Sequence, residues 1–198
     1  MAELLEVKNL SVSFDTPDGE AEAVRDVSFF VKKGETLAIV GESGCGKSVL
    51  CRSIMKLLPK TARIKSGSVL LDGKEITGLT EKEMQKLRGN SFSMVFQDPM
   101  TTLNPAMTVG AQIAEAVIIH RPEFSREEVR CRVWELMELV GIDHPKERAA
   151  QYPWNFSGGM RQRSVLAIAL ASEPAVLLAD EPTTALDVTI QAQILALF

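Results

Sequence analysis

The stretch from Gly41 to Ser48 reads GESGCGKS, in which glycines precede a lysine and a hydroxyl residue. In a loop of this spacing the backbone N–H groups point inward and hold phosphate oxygens. Lys47 would reach the terminal phosphates of a nucleotide, and the Ser48 hydroxyl would bind Mg²⁺. A glycine-rich turn that binds nothing is the alternative. The predicted nucleotide-binding residues are Gly41, Glu42, Ser43, Gly44, Cys45, Gly46, Lys47, Ser48 and Val49.

A pair of carboxylates, Asp180 and Glu181, follows the apolar run AVLLA. At the C-terminal end of a strand, Asp180 can hold Mg²⁺ directly or through water. Glu181 can face the terminal phosphate and orient or deprotonate an attacking water. Alone, the pair also fits ordinary turn carboxylates before Pro182. Beside a phosphate loop, it predicts nucleotide hydrolysis.

The elements that must position these residues follow from the hydrophobic pattern. Alternation predicts antiparallel strands in LLEVKNLSVSF and EAVRDVSFFV, and a hairpin around Asp72 and Gly73. Continuous apolar runs predict strands buried on both faces in TLAIV, SFSMVF and AVLLA. Helical period predicts helices in VLCRSIMKLL up to Pro59, TEKEMQKL, TVGAQIAEAVII, SREEVRCRVWELMELVG and GGMRQRSVLAIALAS, and a helix beginning in DVTIQAQILALF.

Composition limits the class of protein. The chain has 198 residues, 45% hydrophobic and 24% charged, which suits one globular domain of good size. The net charge of −4 argues against a broad nucleic-acid footprint. The apolar runs are far shorter than a membrane span, and the N-terminus does not resemble a secretory signal. The chain has three cysteines, Cys45, Cys51 and Cys131. Their odd number, without the spacing of a metal site, indicates reduced thiols in a cytosolic protein.

With these motifs in view, the chain resembles the nucleotide-binding domain of an ABC ATPase over essentially its whole length. GESGCGKS resembles the Walker A motif, AVLLADE the Walker B motif, and FSGGM the ABC signature. The resemblance implies an α/β fold: a P-loop NTPase core with a mostly parallel sheet, an N-terminal antiparallel β subdomain and an inserted α-helical lobe. It implies a single domain, with the β subdomain and core at 1–99 and 160–198 and the helical lobe at 100–159.

The same resemblance implies roles for residues outside the main motifs. Gln97 in VFQDP matches the Q-loop glutamine, which in the family contacts Mg²⁺ and water and senses the transmembrane partner. Asp187 in TALD matches the D-loop aspartate. Phe14 falls where the family places an aromatic residue that stacks on adenine, although a lone aromatic at a strand end also suits packing.

The glycine pair in the signature requires an explanation, because glycine loses more entropy on ordering than other residues. The resemblance implies that two such domains meet head to tail, with each ATP between one Walker A and the other signature. Ser157, Gly158, Gly159 and Met160 would then contact the γ-phosphate of the partner's ATP at a helix N-terminus. Alternatively, Ser157 only caps the helix, which explains the serine but not the glycines. The signature departs from the usual form at Phe156 and Met160.

Longer stretches, including FQDPMTTLNPAMTVG, are similar to ATPase subunits of bacterial oligopeptide, dipeptide and nickel importers. The resemblance implies ATP and Mg²⁺ as ligands and a peripheral place on the cytoplasmic face of the membrane. It implies as partners an identical or paralogous nucleotide-binding domain, transmembrane permease subunits and, indirectly, an external solute-binding protein, with no nucleic acid. The alternatives are a soluble ABC-type ATPase of DNA repair or translation, and an ATP-binding fragment without turnover.

The family places a switch histidine on a strand that follows the Walker B crossover helix. Here the chain ends at Phe198, soon after that helix begins, and neither His120 nor His144 lies at the matching position. In the family that strand runs between the Walker A and Walker B strands. We therefore expect the chain to be a truncated form, which alone binds nucleotide weakly, hydrolyses ATP negligibly and tends to self-associate.

Overall fold

The computed structural model describes residues 3–96, 102–182 and 191. The chain divides into two compact units, residues 1–88 and residues 89–198. The phosphate loop belongs to the first unit, and the carboxylate pair and the signature belong to the second. The helical lobe expected at 100–159 lies within the second unit, and the domain limits inferred from the resemblance stay a prediction.

The first unit is built on an antiparallel sheet with the strand order β2–β1–β3–β4. A tight loop at Pro17 and Asp18 joins the first two strands, and Asp72 and Gly73 turn the last two, as the sequence predicts. Both turn residues have positive φ, 48° at Asp72 and 71° at Gly73, which suits a hairpin whose twist matches its strands. The strands are β1 (Glu3–Thr16), β2 (Gly19–Lys32), β3 (Ala62–Leu71) and β4 (Lys74–Glu75).

A β-bulge in β1 lets both halves of this long strand bury their apolar residues. Leu5 and Val7 are buried before the bulge, and Leu10 and Val12 are buried after it. The register against β2 shifts between Val7 and Leu10, and Asn9 there has a left-handed backbone with φ 46°. The extra residue restores the alternation, so the strand keeps a continuous apolar face.

Two helices of the first unit flank β3 and β4 in the chain: α1 (Lys47–Ile54) and α2 (Glu81–Leu87). A capping box of Thr80 and Glu83 begins α2, which the spacing of these residues predicts. The prediction that α1 runs to Pro59 is wrong, because the helix ends at Ile54.

The early end of α1 has a local cause. Lys56 has a left-handed backbone with φ 52°, which cannot continue a right-handed helix. Its ammonium group donates to the carbonyl oxygens of Thr77 at 2.9 Å and Leu79 at 2.6 Å. These bonds turn the chain away from the helix axis where the sequence still shows helical periodicity.

The prediction of a buried strand in TLAIV, residues 36–40, is also wrong. These residues form no strand, and Leu37, Ile39 and Val40 are exposed. A strand exists only through its inter-strand hydrogen bonds, and this run pairs with no strand in the described part of the chain. Apolar composition alone therefore did not bury the segment.

In the second unit, two strands pair in parallel, and the helices come between them in the sequence. Phe92–Val95 pairs in register with Val176–Ala179, starting from Phe92 opposite Val176. SFSMVF and AVLLA thus form strands as predicted. The elements are β5 (Phe92–Val95), α3 (Val109–His120), α4 (Arg126–Leu139), α5 (Pro145–Arg148), a 3₁₀ turn (Pro153–Asn155), α6 (Gly158–Leu170) and β6 (Val176–Ala179).

Side-chain caps set the starts of these helices. Thr108 caps α3, and Ser125 with Glu128 forms a capping box at the start of α4, as their three-residue spacing predicts. Both helices pack with α6 around an apolar core in which β5 also takes part. Fully buried members of that core include Ile113, Val117, Leu136, Met137 and Ala167. The core holds α6, and thereby the signature at its N-terminus, in one position within the unit.

Candidate functional site

The phosphate loop owes its shape to close contacts around its glycines. Gly46 has φ 97° and is the N-cap of α1. A Cβ atom on Gly46 would collide with the carbonyl oxygen of Ala23 in β2. A Cβ atom on Gly41 would lie 2.6 Å from the Sγ atom of Cys45. Position 46 therefore requires glycine, which holds the loop close to β2, whereas position 41 is crowded only by the side chain of Cys45.

The side chain of Lys47 closes this loop into a ring. Its Nζ atom donates to the carbonyl oxygens of Gly41 and Glu42, each at 2.8 Å. The backbone N–H of Cys45 donates to the same Glu42 carbonyl at 3.3 Å. The ammonium group thus lies across the loop, at the N-terminal end of α1, where a positive dipole also favours anions. The arrangement brings together the positive charge and the helix N-terminus that suit an anion.

The far end of α1 is held by Arg88. Its Nε atom donates to the carbonyl oxygen of Met55 at 2.8 Å, and its guanidinium also pairs with the carboxylate of Glu81 at 2.5 Å. With the Lys56 bonds, these contacts fix the helix against the turn that precedes α2. The position of the phosphate loop within the first unit is therefore determined at both ends of the helix.

Phe14 lies on β1, half-buried and opposite Ala21 and Ala62 of the neighbouring strands. Beside it, the buried Ser13 hydroxyl donates to Glu20 at 2.6 Å. That bond, with further ones from Arg63 and Lys65, lowers the pKa of Glu20 to about 2. The small alanines leave part of the phenyl ring accessible, as stacking on a base requires, although half-burial also suits packing.

Asp180 and Glu181 follow β6 at its C-terminal end. Asp180 is only 3% exposed, and its backbone N–H extends the ladder by donating to the carbonyl oxygen of Val95 at 2.9 Å. Glu181 has φ 51°, a left-handed conformation that is uncommon for a residue with a long side chain. Backbones of this kind persist where surrounding contacts hold them, and they concentrate at functional sites.

The signature residues begin α6. Ser157 caps the helix, because its Oγ atom accepts the backbone N–H of Met160 at 3.3 Å. A Cβ atom on Gly158 would meet no other atom within 4 Å. The helix cap by Ser157, which the sequence offered as an alternative to phosphate binding, is thus present. Packing around position 158 does not require glycine. A cavity of about 370 Å³ lies beside these residues, lined in part by Gly159, Met160 and Arg148.

Three consecutive side chains after the signature each donate to a backbone carbonyl. Arg161 donates through Nε to Pro153 at 2.8 Å, and Gln162 through Nε2 to Pro182 at 2.8 Å. Arg163 donates to carbonyl oxygens at the C-terminal end of α4. The sequence interpretation missed these residues. Polar residues at positions where the helical period predicts burial could have identified them.

The structure brings Gly41 to Ser48 together in one loop, and it joins the signature helix to the turn after β6. Gln97 and Asp187 lie outside the described residues, so their assigned roles stay predictions. No helix in the described ranges has the length and apolar character needed to cross a membrane.

The family model described as ABC transporter matches residues 24–184. The chain belongs to the ABC transporter family. This match includes the phosphate loop, the signature and the carboxylate pair, and it confirms the resemblance drawn from those motifs. The mixed α/β architecture, with an antiparallel N-terminal sheet and a parallel strand pair, agrees with it.

Two curated relatives of this ABC chain come from Bacillus subtilis. It is 58% identical to the oligopeptide transport ATP-binding protein OppD, over 98% of this chain and 54% of OppD. It is 57% identical to the dipeptide transport ATP-binding protein DppD, over 100% of this chain and 59% of DppD. The chain thus spans somewhat more than half the length of these relatives.

A solved structure shares the fold. The ATP-binding cassette MJ0796, in a dimeric post-hydrolysis state bound to ADP and Pi, matches with a TM-score of 0.87 and 30% identity. The match covers 98% of this chain and 80% of that one. The predicted fold class is therefore confirmed.

Proposed function

We propose that this chain is the ATP-binding and ATP-hydrolysing subunit of an ABC importer for peptides. The observation that carries the proposal is the phosphate loop closed by Lys47 at the start of α1. The names of its relatives, which are oligopeptide and dipeptide transport ATP-binding proteins, support the substrate class.

ATP would bind through its phosphates to the loop. The backbone N–H groups between Gly41 and Gly46 would donate to phosphate oxygens, and the ammonium group of Lys47 would balance their negative charge. Lys47 would exchange its bonds to the neutral loop carbonyls for stronger bonds to the anionic oxygens of the β- and γ-phosphates, in which donor and acceptor are both charged. Phe14 would stack on the adenine ring.

Mg²⁺ fits the donors that the family assigns to it. The ion prefers oxygen ligands, and Ser48 and Asp180 offer a hydroxyl and a carboxylate, with Gln97 as a further candidate. In the described residues, no group of three or more His, Cys, Asp or Glu side chains is placed to hold a metal. Phosphate and water oxygens would thus complete the coordination, as is usual for this ion. Bound Mg²⁺ would neutralise charge on the β- and γ-phosphates.

Hydrolysis would use Glu181 as the general base. Its carboxylate would accept a proton from water while the water oxygen forms a bond to the γ-phosphorus. The bond from that phosphorus to the bridging oxygen would break, leaving ADP and phosphate. At Glu181, with φ 51°, the backbone leaves the extended conformation of β6.

The signature would serve ATP held by a second nucleotide-binding domain. Gly158 is exposed, and the space around it is open, so a phosphate could approach the first N–H groups of α6. The dimeric state named for the MJ0796 structure supports this arrangement. An identical or paralogous domain would supply the partner, and permease subunits would hold the pair at the cytoplasmic face of the membrane. A solute-binding protein would act on it indirectly.

The test is purification of the full-length gene product from its native membrane, followed by ATPase and peptide-uptake assays in vesicles. We expect hydrophobic permease subunits to copurify and peptide to stimulate ATP hydrolysis. Lys60→Ala, a substitution of an exposed lysine in the same unit, is the control and should leave both rates unchanged. ATPase activity that never associates with membrane subunits would favour a soluble ATPase instead.

A further inference from the structure

Gln162 connects the signature helix to the turn that carries the candidate base. Its side chain is buried, with 3% of the residue exposed, in a helix whose N-cap is Ser157. Its Nε2 atom donates to the carbonyl oxygen of Pro182 at 2.8 Å. Pro182 directly follows Glu181, so the bond reaches the residue next to the candidate base.

We propose that Gln162 is a positioning residue that holds the backbone of Glu181 in its left-handed conformation. The inference rests on the proposed function, because it takes Glu181 as the base of ATP hydrolysis. Gln162 itself contacts no reacting atom and acts through the turn.

The geometry places Glu181 between two fixed points. On one side, Asp180 continues the ladder of β6 through its bond to the Val95 carbonyl at 2.9 Å. On the other side, the Pro182 carbonyl is held by Gln162 in the body of the unit. Glutamate rarely occupies φ 51°, and such a backbone persists only where its surroundings determine it. Without the Gln162 bond, one of these two points is lost.

The proline makes the carbonyl bond more important. Proline has no backbone N–H, so the turn cannot be held by a donor at position 182. Its carbonyl is therefore the backbone group of Pro182 through which another element can fix it. A buried amide donor on a rigid helix gives that bond a defined direction.

The same helix also carries the candidate contact to the partner's nucleotide. Ser157 and Gly158 begin α6, and Gln162 lies about one turn further along. A displacement of the helix N-terminus would therefore move the donor that holds the base. The helix gives the two candidate functions a common rigid support.

Arg161 provides a neighbouring control. It precedes Gln162 on the same helix and also donates to a proline carbonyl at 2.8 Å, that of Pro153. Pro153 lies in the 3₁₀ turn before the signature and not beside Glu181. Gln162→Met removes a neutral donor to the carbonyl of Pro182, and Arg161→Met removes a charged donor to the carbonyl of Pro153, so the two substitutions act on different segments.

The experiment compares Gln162→Met, Arg161→Met and wild type in the full-length protein assembled with its membrane subunits. For Gln162→Met we expect kcat to fall about tenfold with the KM for ATP unchanged, since one buried hydrogen bond is lost. Amide hydrogen exchange should become faster at 176–182 in Gln162→Met. In Arg161→Met it should become faster at 152–156 and stay unchanged at 176–182.

A pH series on Gln162→Glu adds a readout that general destabilisation would not give. An ionised glutamate only accepts, and it faces a carbonyl oxygen, whereas a protonated one can donate to it. We expect the rate of this variant, relative to wild type, to recover as pH falls.

Two results overturn the inference: wild-type exchange at 176–182 in Gln162→Met, or wild-type kcat in that variant while Glu181→Gln is inactive. A wild-type assembly that hydrolyses no ATP overturns the proposed function instead. In that case the exchange result still decides whether Gln162 holds the turn.

Discussion

Two short apolar runs, TLAIV at 36–40 and AVLLA at 175–179, look alike in the sequence but differ in the structure. Each directly precedes residues proposed to contact the nucleotide. AVLLA contains β6, in which Val176 is 9% exposed. TLAIV forms no strand, and Val40 is 91% exposed. Similar composition has led to opposite outcomes.

The difference lies in pairing. Val176 donates its backbone N–H to the carbonyl oxygen of Ser91 at 2.9 Å, and the ladder continues in register with β5. No such ladder is present for residues 36–40 in the described ranges. An apolar run supplies the tendency to be buried, but a strand also needs a neighbour for its N–H and C=O groups.

The loops that follow the two runs depend on different contacts. The phosphate loop after TLAIV is held by bonds within a few residues of Lys47, so it keeps its shape beside a run that forms no strand. Glu181 after AVLLA is held by β5 and α6, which are distant in sequence. The hydrogen bonds that shape the first loop are local, although its contact with β2 at Gly46 is not, and the second loop is held by segments distant in sequence.

The largest expected effect concerns the carboxylate after AVLLA. Glu181→Gln keeps the shape of the side chain and removes the base, so kcat should fall by about 10²–10⁴ with ATP binding retained. Steady-state ATPase and nucleotide-binding assays on the assembled transporter measure both effects. Glu173→Gln is the control, because Glu173 lies before β6 and has a similar φ of 54°. Normal hydrolysis by Glu181→Gln would assign the base elsewhere.

The second prediction tests the difference in burial between the two regions. Phe92 of β5 is 0% exposed, and Phe92→Ala should lower the free energy of unfolding by about 3–5 kcal/mol. Leu37 is 44% exposed, and Leu37→Ala should change it by no more than about 0.5 kcal/mol. Chemical denaturation followed by circular dichroism gives both values. An equally large loss of unfolding free energy in Leu37→Ala would contradict the difference in burial between the two regions.

The third prediction concerns the loop after TLAIV. Lys47→Ala removes a cation that faces phosphate oxygens, so ATP affinity should fall about 10–100-fold, the value of a bond or two to a charged group. Isothermal titration calorimetry with MgATP measures the change, with Lys60→Ala as the control. Unchanged affinity in Lys47→Ala would show that this loop is not the phosphate site.

The smallest expected effect is on thiol chemistry in the same loop. Cys45 is exposed, and the Nζ atom of Lys47 donates to its Sγ atom at 3.8 Å, so a cation lies beside the sulfur that maleimide must reach. Cys131 is also exposed, and no hydrogen bond joins its sulfur to a cation among the residues that the structure describes. We expect maleimide to label Cys45 a few-fold faster, and MgATP to protect it.

Mass spectrometry of the labelled peptides, with and without MgATP, measures this selectivity. Cys131 is the internal control, because nucleotide at the loop should leave its labelling unchanged. Equal labelling of both thiols, insensitive to MgATP, would remove the case for an activated cysteine in the loop.

Local patterns predicted much of the fold. The sequence correctly predicts the capping boxes at Thr80 and Ser125 and the turn at Asp72, because each depends on residues close in sequence. The errors, at residues 36–40 and at the end of α1, occurred where distant contacts decide. Lys56 ends α1 through bonds to the turn before α2, and no local pattern carries that information.

By itself, the sequence determined the phosphate loop, the helix starts and the family, because these depend on spacings within a few residues. Only the tertiary structure decided which apolar run became a strand and how Gln162 reaches Pro182. Both depend on segments that are far apart in the chain and meet only when the hydrophobic core forms. Strand pairing and buried hydrogen bonds need a partner in space, and spacing along the chain does not name that partner.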